Sequence, residues 1–264
     1  SWDEDAVVMD REKAIFADAS KVRRIEYQGR FYRSRGPLNV VRSPQNGPAL
    51  IQAGTSPMGI ELAAKYADAV FAIHPRPKGA ASYYTQVKDR VSDLGRDPNA
   101  CAILFGAQPI IGRSEAEALE KQEEHNELVP LEGGMAILSG HLNFDLSRLS
   151  LDDEMMSREE PELQRSKRVY QKENGDSMTV KEVAQRHGES VGLPQFVGTA
   201  ASVADQLEAF FDEVGGDGFM LSPIYCPGAI EEFVDMVVPE LQRRGRFRTA
   251  YTGETQRDHL RQVD

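Results

Sequence analysis

Cysteine is scarce in this 264-residue sequence: Cys101 and Cys226 are the only two, far apart. Two isolated thiols supply neither a disulfide framework nor a zinc-type spacing. Long apolar runs are missing as well. No stretch approaches the roughly 18 apolar residues of a membrane-spanning helix or reads as a signal peptide, so a reducing, cytoplasmic setting is expected. Base is short relative to acid: 31 Lys and Arg stand against 42 Asp and Glu, a formal net charge of −11. Nucleic acid and anionic membrane surfaces need clustered cations, so neither is an expected partner. Arg243, Arg244, Arg246 and Arg248 form a short basic cluster that reads as the solvated end of a helix. No spacing of His, Cys, Asp and Glu resembles a ligand set, so no metal is expected. The sequence opens on Ser1-Trp2-Asp3 without a methionine, which suggests a piece of a longer chain.

What is present is an alternation of strand and helix signals. The 40% hydrophobic content suffices for one large domain or two small ones. Leu50-Ile51 reads as a buried strand, followed by the small-residue turn Gln52-Ala53-Gly54-Thr55-Ser56 and a helix opened by Pro57. Ser56 suits the N-cap and Pro57 the first helical position. Gly54 permits close approach of a ligand, and the first N–H groups of a helix attract anions, phosphate above all. An ordinary turn with nothing bound has the same pattern.

Further strands are expected at Ala69–Ile73, Cys101–Phe105 with Pro109-Ile110-Ile111 close behind, and Gly218–Leu221. Between them, Tyr83, Tyr84, Val87, Val91 and Leu94 mark one helix face, and Val203, Leu207, Phe210, Phe211 and Val214 another. Ser114 and Glu117 have capping-box spacing. A small hairpin is expected around Gln28-Gly29, and Pro239 should kink the last long helix. Strands alternating with helices imply parallel βαβ units. Four such strands are too few for an eight-stranded barrel of about 250 residues. The residues alone therefore imply a half-barrel or a small open α/β sheet.

The expected organisation is one partial barrel domain over 1–264. It comprises a helix end, hairpin and loop over 1–48, βαβαβ units over 49–112, and a largely helical insertion over 113–197. A closing αβα unit over 198–245 and a C-terminal tail over 246–264 complete it. The insertion is poor in apolar residues and rich in charge, with Asp152-Asp153-Glu154 and Lys172-Glu173-Asn174-Gly175-Asp176. It is expected to have loops but no core of its own.

Several motifs, in order, resemble one family. Gly36–Val40, Arg42-Ser43-Pro44-Gln45, Gln52–Ser56, Gly112–Ala118, Leu138-Ser139-Gly140-His141, Asp145-Leu146-Ser147, Phe233–Gly245 and Arg248–Gly253 are similar to the nitrilotriacetate/EDTA monooxygenase group. This group belongs to the bacterial luciferase-like superfamily, with dibenzothiophene-sulfone and long-chain alkane monooxygenases and a pristinamycin synthase subunit. The resemblance implies a TIM-like (β/α)8 barrel, of which this chain looks like the C-terminal half. Trp2-Asp3 resembles the end of the helix after strand four. Ile73-His74-Pro75 departs from the family's small or polar residues.

The resemblance also implies the oxygenase half of a two-component system. It would take reduced FMN from a separate NAD(P)H:flavin reductase and add oxygen from O2 to a small organic substrate, acting as a homo-oligomer. Gln52, Ala53, Gly54, Thr55 and Ser56 are the expected FMN-phosphate site. His141, in the insertion, is the candidate catalytic group. His74 and Cys226 are candidate substrate contacts, although an exposed thiol suits Cys226 equally. His125, His187 and His259 read as solvated, Cys101 as core, and Tyr83-Tyr84 as helix packing. The isolated chain is expected not to turn over. A non-catalytic half-barrel assembly module, or a deazaflavin-dependent relative, is the alternative.

Overall fold

The computed structural model describes residues 1–41, 43, 45–155, 160–165 and 176–261. Arg42, Pro44 and the polar run 172–175 lie outside them. The chain divides into two compact units, Ser1–Ala49 with Gly253–His259, and Leu50–Thr252 with Leu260–Asp264.

The first unit is built from two short antiparallel pairs. β1 (Val7–Asp10) pairs with β2 (Ile15–Ala17), and β3 (Tyr27–Gln28) with β4 (Arg33–Ser34). The expected hairpin is present, but Gln28 pairs with Arg33, so the turn is Gly29–Tyr32. The helix end expected at Trp2 is instead extended backbone. Trp2 bridges to Val22, and its indole N–H donates to the Leu38 carbonyl at 2.9 Å. No apolar periodicity follows Trp2 to sustain a helix, whereas Val7-Val8 and Ile15-Phe16 are β-formers.

The second unit begins β5 (Ile51–Ala53), α1 (Pro57–Tyr66), β6 (Ala69–Ala72), α2 (Pro77–Asp93) and β7 (Ala102–Ile111). The insertion contributes α3 (Glu115–Glu127), α4 (Leu131–Leu142), α5 (Pro161–Arg165) and α6 (Val180–Ser190). β8 (Gln195–Gly198), α7 (Ala200–Val214), β9 (Gly218–Leu221), α8 (Gly228–Glu232) and α9 (Val238–Arg243) follow, and α10 (Gln256–Arg261) lies in the tail. β5, β6, β7 and β9 are the four expected strands, all parallel, with β9 on β7.

β8 is a fifth strand that the sequence reading left inside the insertion. β7 accepts it because β7 outlasts β6. Ala102 N–H donates to the Asp68 carbonyl before β6, and Gln108 N–H to the Pro194 carbonyl before β8. Residues of the same parity aim their N–H groups at the same strand edge. β8 thus continues the lane that β6 leaves after Ala72, whose register partner is Phe105.

Val70, Ala72, Ile103, Phe105 and Ala107 alternate onto the face that meets Tyr83, Val87 and Val91 of α2 and Val203, Leu207 and Phe210 of α7. Phe105 and Phe210 meet edge to face with centroids 5.8 Å apart. Cys101 is buried, as expected. Two aspartates set the strand starts. Asp68, just before β6, accepts the Leu50 N–H (3.0 Å), and Asp217, just before β9, accepts the Ile103 N–H (2.7 Å).

Two sequence readings are corrected here. Leu50 and Ile51 are about half exposed, not buried, because β5 is an edge strand paired only with β6 among the described residues. The insertion does have a core. Leu138, Leu142 and Leu146 cluster with Met155, Leu163, Met178, Val183 and Ala184. The apolar residues are few but are gathered from four separate segments, which periodicity within one segment does not reveal. Pro239 follows a π-helical turn, Phe233–Val237, closed by the Val238 N–H on the Phe233 carbonyl, and sits in the first turn of α9.

Candidate functional site

The turn after β5 takes the conformation its residues imply. Gly54 has φ +145°, a region that L side chains rarely adopt. Ser56 caps α1, its Oγ accepting the Gly59 N–H at 3.1 Å, and Pro57 opens the helix. Acceptance by Oγ leaves the Ser56 hydroxyl hydrogen able to donate. Among the described residues, the N–H groups of Thr55 and Ser56 have no protein acceptor, and Thr55 is exposed.

Gln52 folds back over this turn. A Cβ on either Gly54 or Gly59 would come to 3.0 Å from its Nε2, so both glycines make room for the amide. Its Oε1 is buried with no hydrogen-bond partner. Gly59, which the sequence reading did not single out, is thus part of the turn. Its signal was a second glycine five residues after Gly54. Tyr83, expected as helix packing, also reaches the turn: its hydroxyl donates to the Gly54 carbonyl at 3.2 Å, and burial pushes its pKa up to about 12, which keeps the donor proton in place.

His74 continues the alternation of Val70 and Ala72 and faces the helix layer, its ring 5.1 Å from Tyr83 and 6.2 Å from Phe105. Burial pushes its pKa down, and Nε2 is buried with no partner. The substrate contact expected of His74 is a proposal beside this packing against Tyr83 of α2 and Phe105 of β7. Cys226 is exposed in the segment between β9 and α8, apart from these groups.

His141 stands on α4 in the insertion and is exposed. Its Nδ1 lies 2.9 Å from Nε2 of His187 on α6. His187 is only 4% exposed, which corrects the expectation that it is solvated. Burial, and then the neighbouring His141, push it down to about 4. His125 also has a partner, the Glu189 carbonyl, at 2.9 Å from its Nε2.

The insertion meets the carboxyl ends of the strands directly. A Cβ on Gly106 would run into the Leu193 side chain, so the residues leading into β8 lie against the middle of β7. A cavity of about 260 Å³ opens there, lined by Pro75, Arg186, Glu189, Ser190 and Leu193 among others. Ligands of parallel barrels bind at this end. Among the described residues, no group of three or more His, Cys, Asp or Glu could hold a metal ion, and no helix is long and apolar enough to cross a membrane.

Comparison with known proteins decides the family. The model of the family described as "Luciferase-like monooxygenase" matches residues 13–218. The chain belongs to the luciferase-like monooxygenase family. A dibenzothiophene-sulfone monooxygenase of Rhodococcus erythropolis is 40% identical over 98% of this chain and 59% of its own length. Nitrilotriacetate monooxygenase component A of Aminobacter aminovorans is 35% identical over 98% of the chain and 59% of its length. The crystal structure of DmoA from Hyphomicrobium sulfonivorans superposes with a TM-score of 0.88 at 31% identity, covering 98% of this chain and 55% of that one. The luciferase-like chain spans somewhat more than half the length of these relatives. Its α/β fold is that of the TIM-barrel monooxygenases of the family.

Proposed function

We propose that this chain forms part of an FMNH2-dependent monooxygenase that inserts one oxygen atom from O2 into a small organic substrate. The observation that carries this reading is the turn Gln52–Ser56. It presents two N–H groups without a protein acceptor among the described residues, and two hydroxyls, at the carboxyl end of a barrel strand, where α1 begins. The residues fit the phosphate of FMN. Thr55 and Ser56 would donate to it, and Gly54 gives the backbone room to approach; the orphaned Gln52 Oε1 is an acceptor that would take a hydroxyl of the flavin's ribityl chain, not the phosphate. Reduced flavin, when bound, supplies the electrons that activate O2.

The chain's own residues bind, orient and exclude water. Tyr83 holds the Gly54 carbonyl and so fixes the turn. The insertion lies over β7, where it shields the strand ends from solvent. His141 is the group assigned to donate to, or contact, the reacting substrate. The similarity to a protein named "component A" supports a separate NAD(P)H:flavin reductase as the source of FMNH2. A cytoplasmic setting suits such a supply. Met58, Leu62 and Tyr66 are exposed at four-residue spacing on α1, a surface suited to association between copies.

The test is a flavin fluorescence titration of the chain with FMN and with riboflavin, which lacks the phosphate. FMN is expected to bind at least about tenfold more tightly, a difference of ~1.4 kcal/mol. Thr55→Glu, which places a carboxylate in the site, should erase that difference. Equal affinities for the two flavins in the unaltered chain would refute the phosphate assignment.

A further inference from the structure

The pairing of His141 with His187 has a direction. Two imidazole nitrogens 2.9 Å apart share one hydrogen, so one ring donates and the other accepts. The rings stand nearly perpendicular, at 86°, with centroids 5.0 Å apart. His187 is buried while His141 is exposed. Charging the buried ring is costly, which holds His187 in its neutral form. A doubly protonated His141 must donate through Nδ1, and His187 Nε2 must then accept.

The backbone holds the two rings at this separation. On α4, Gly134, Leu138 and His141 follow at four- and three-residue spacing and share one face. On α6, Val180, Val183, Ala184 and His187 do the same. A Cβ on Gly134 would run into the Ala184 carbonyl, and one on Gly188 would lie 3.3 Å from the Gly134 Cα. The helices therefore touch backbone to backbone, within one turn of His187 on α6 and two turns from His141 on α4, and leave little freedom in the distance between them.

We propose that His187 is a positioning residue for His141: its buried Nε2 accepts the Nδ1 hydrogen of His141, fixes that ring, and leaves Nε2 of His141 as the atom that takes up and releases a proton. The catalytic meaning of this arrangement rests on the role assigned to His141 above. The geometry itself does not.

The test reads the rings directly, by nitrogen-15 NMR of the chain with labelled histidine. Neutral His141 is expected to carry its hydrogen on Nδ1. His187→Leu, which keeps bulk and removes the acceptor, should move that hydrogen to Nε2. His187→Gln, whose amide oxygen can accept in the same place, should restore the Nδ1 form. A neutral His141 protonated on Nε2 in the unaltered chain would overturn the proposal, as would a pattern that His187→Leu leaves unchanged. The FMN–riboflavin comparison tests the flavin reading separately, so failure of one is distinguishable from failure of the other.

Discussion

The sheet and the insertion each hold their helices with an apolar core, but by different means. In the sheet, the core is continuous. Alternate residues of β6, β7 and β9 meet α2 and α7 through Phe105, Phe210 and Phe219; Phe105 meets Phe210 edge to face, and Phe219 packs tilted against Phe210. In the insertion the core is a patchwork of Leu and Met from α4, α5 and the segments between, with Val183 and Ala184 of α6, closed by glycine contacts that let two helices touch. Large interlocking rings spread a load over many neighbours. A glycine contact is unforgiving at one point and indifferent elsewhere.

That contrast can be broken most strongly from the sheet side. Phe105→Ala removes a fully buried ring and should cost about 3–5 kcal/mol, visible in urea unfolding as a lowered midpoint for the whole second unit. Gly134→Ala adds a single methyl against the Ala184 carbonyl and should cost about 1–3 kcal/mol. Its damage should stay local. Hydrogen exchange is expected to quicken in α4 and α6 while β6 and β7 remain protected, and equal loss in both regions would contradict separate cores.

The smallest effect is set by pH. His187 titrates at about 4 when folded against 6.5 for a free imidazole, so the unfolded chain binds the proton more readily. The stability this contributes is complete above about pH 6.5 and is lost as pH falls toward 4. The insertion should therefore loosen first on acidification. Near-ultraviolet circular dichroism reports the sheet's aromatic rings, and exchange rates in α6 report the insertion. His187→Leu should remove the difference between them.

Legibility in the sequence followed the same division. Strands of the sheet announce themselves because each is a short apolar run between helical signals, and the helix faces of α2 and α7 were readable from their three- and four-residue spacing. The turn Gln52–Ser56 was readable for a local reason: Gly54, Ser56 and Pro57 each have one conformational job, done within the segment. What depends on distant segments was not. β8 is only four residues long, and nothing within Gln195–Gly198 states that β7 extends far enough to receive it. Asp68 and Asp217 look like turn residues, and their service to a neighbouring strand is a property of the sheet. His187 reads as a polar residue in a polar helix until α4 covers it. The packing of His74 against Tyr83 and Phe105 likewise belongs to the fold and not to its own segment.

β7 is ten residues long, about 33 Å of extended chain, and along one edge it is shared by two tenants. β6 occupies the first stretch and β8 the last. Length on that edge is a zero-sum quantity. Extending β6 past Gly106 and Ala107, the two β7 residues between the tenants, would compete for the backbone groups that anchor the insertion, and shortening β8 would leave some of them without partners. A lineage that changes the helices of the insertion to suit a new substrate is free to do so only while this shared edge keeps its tally, which makes it a place where the chain can be varied on both sides but not across.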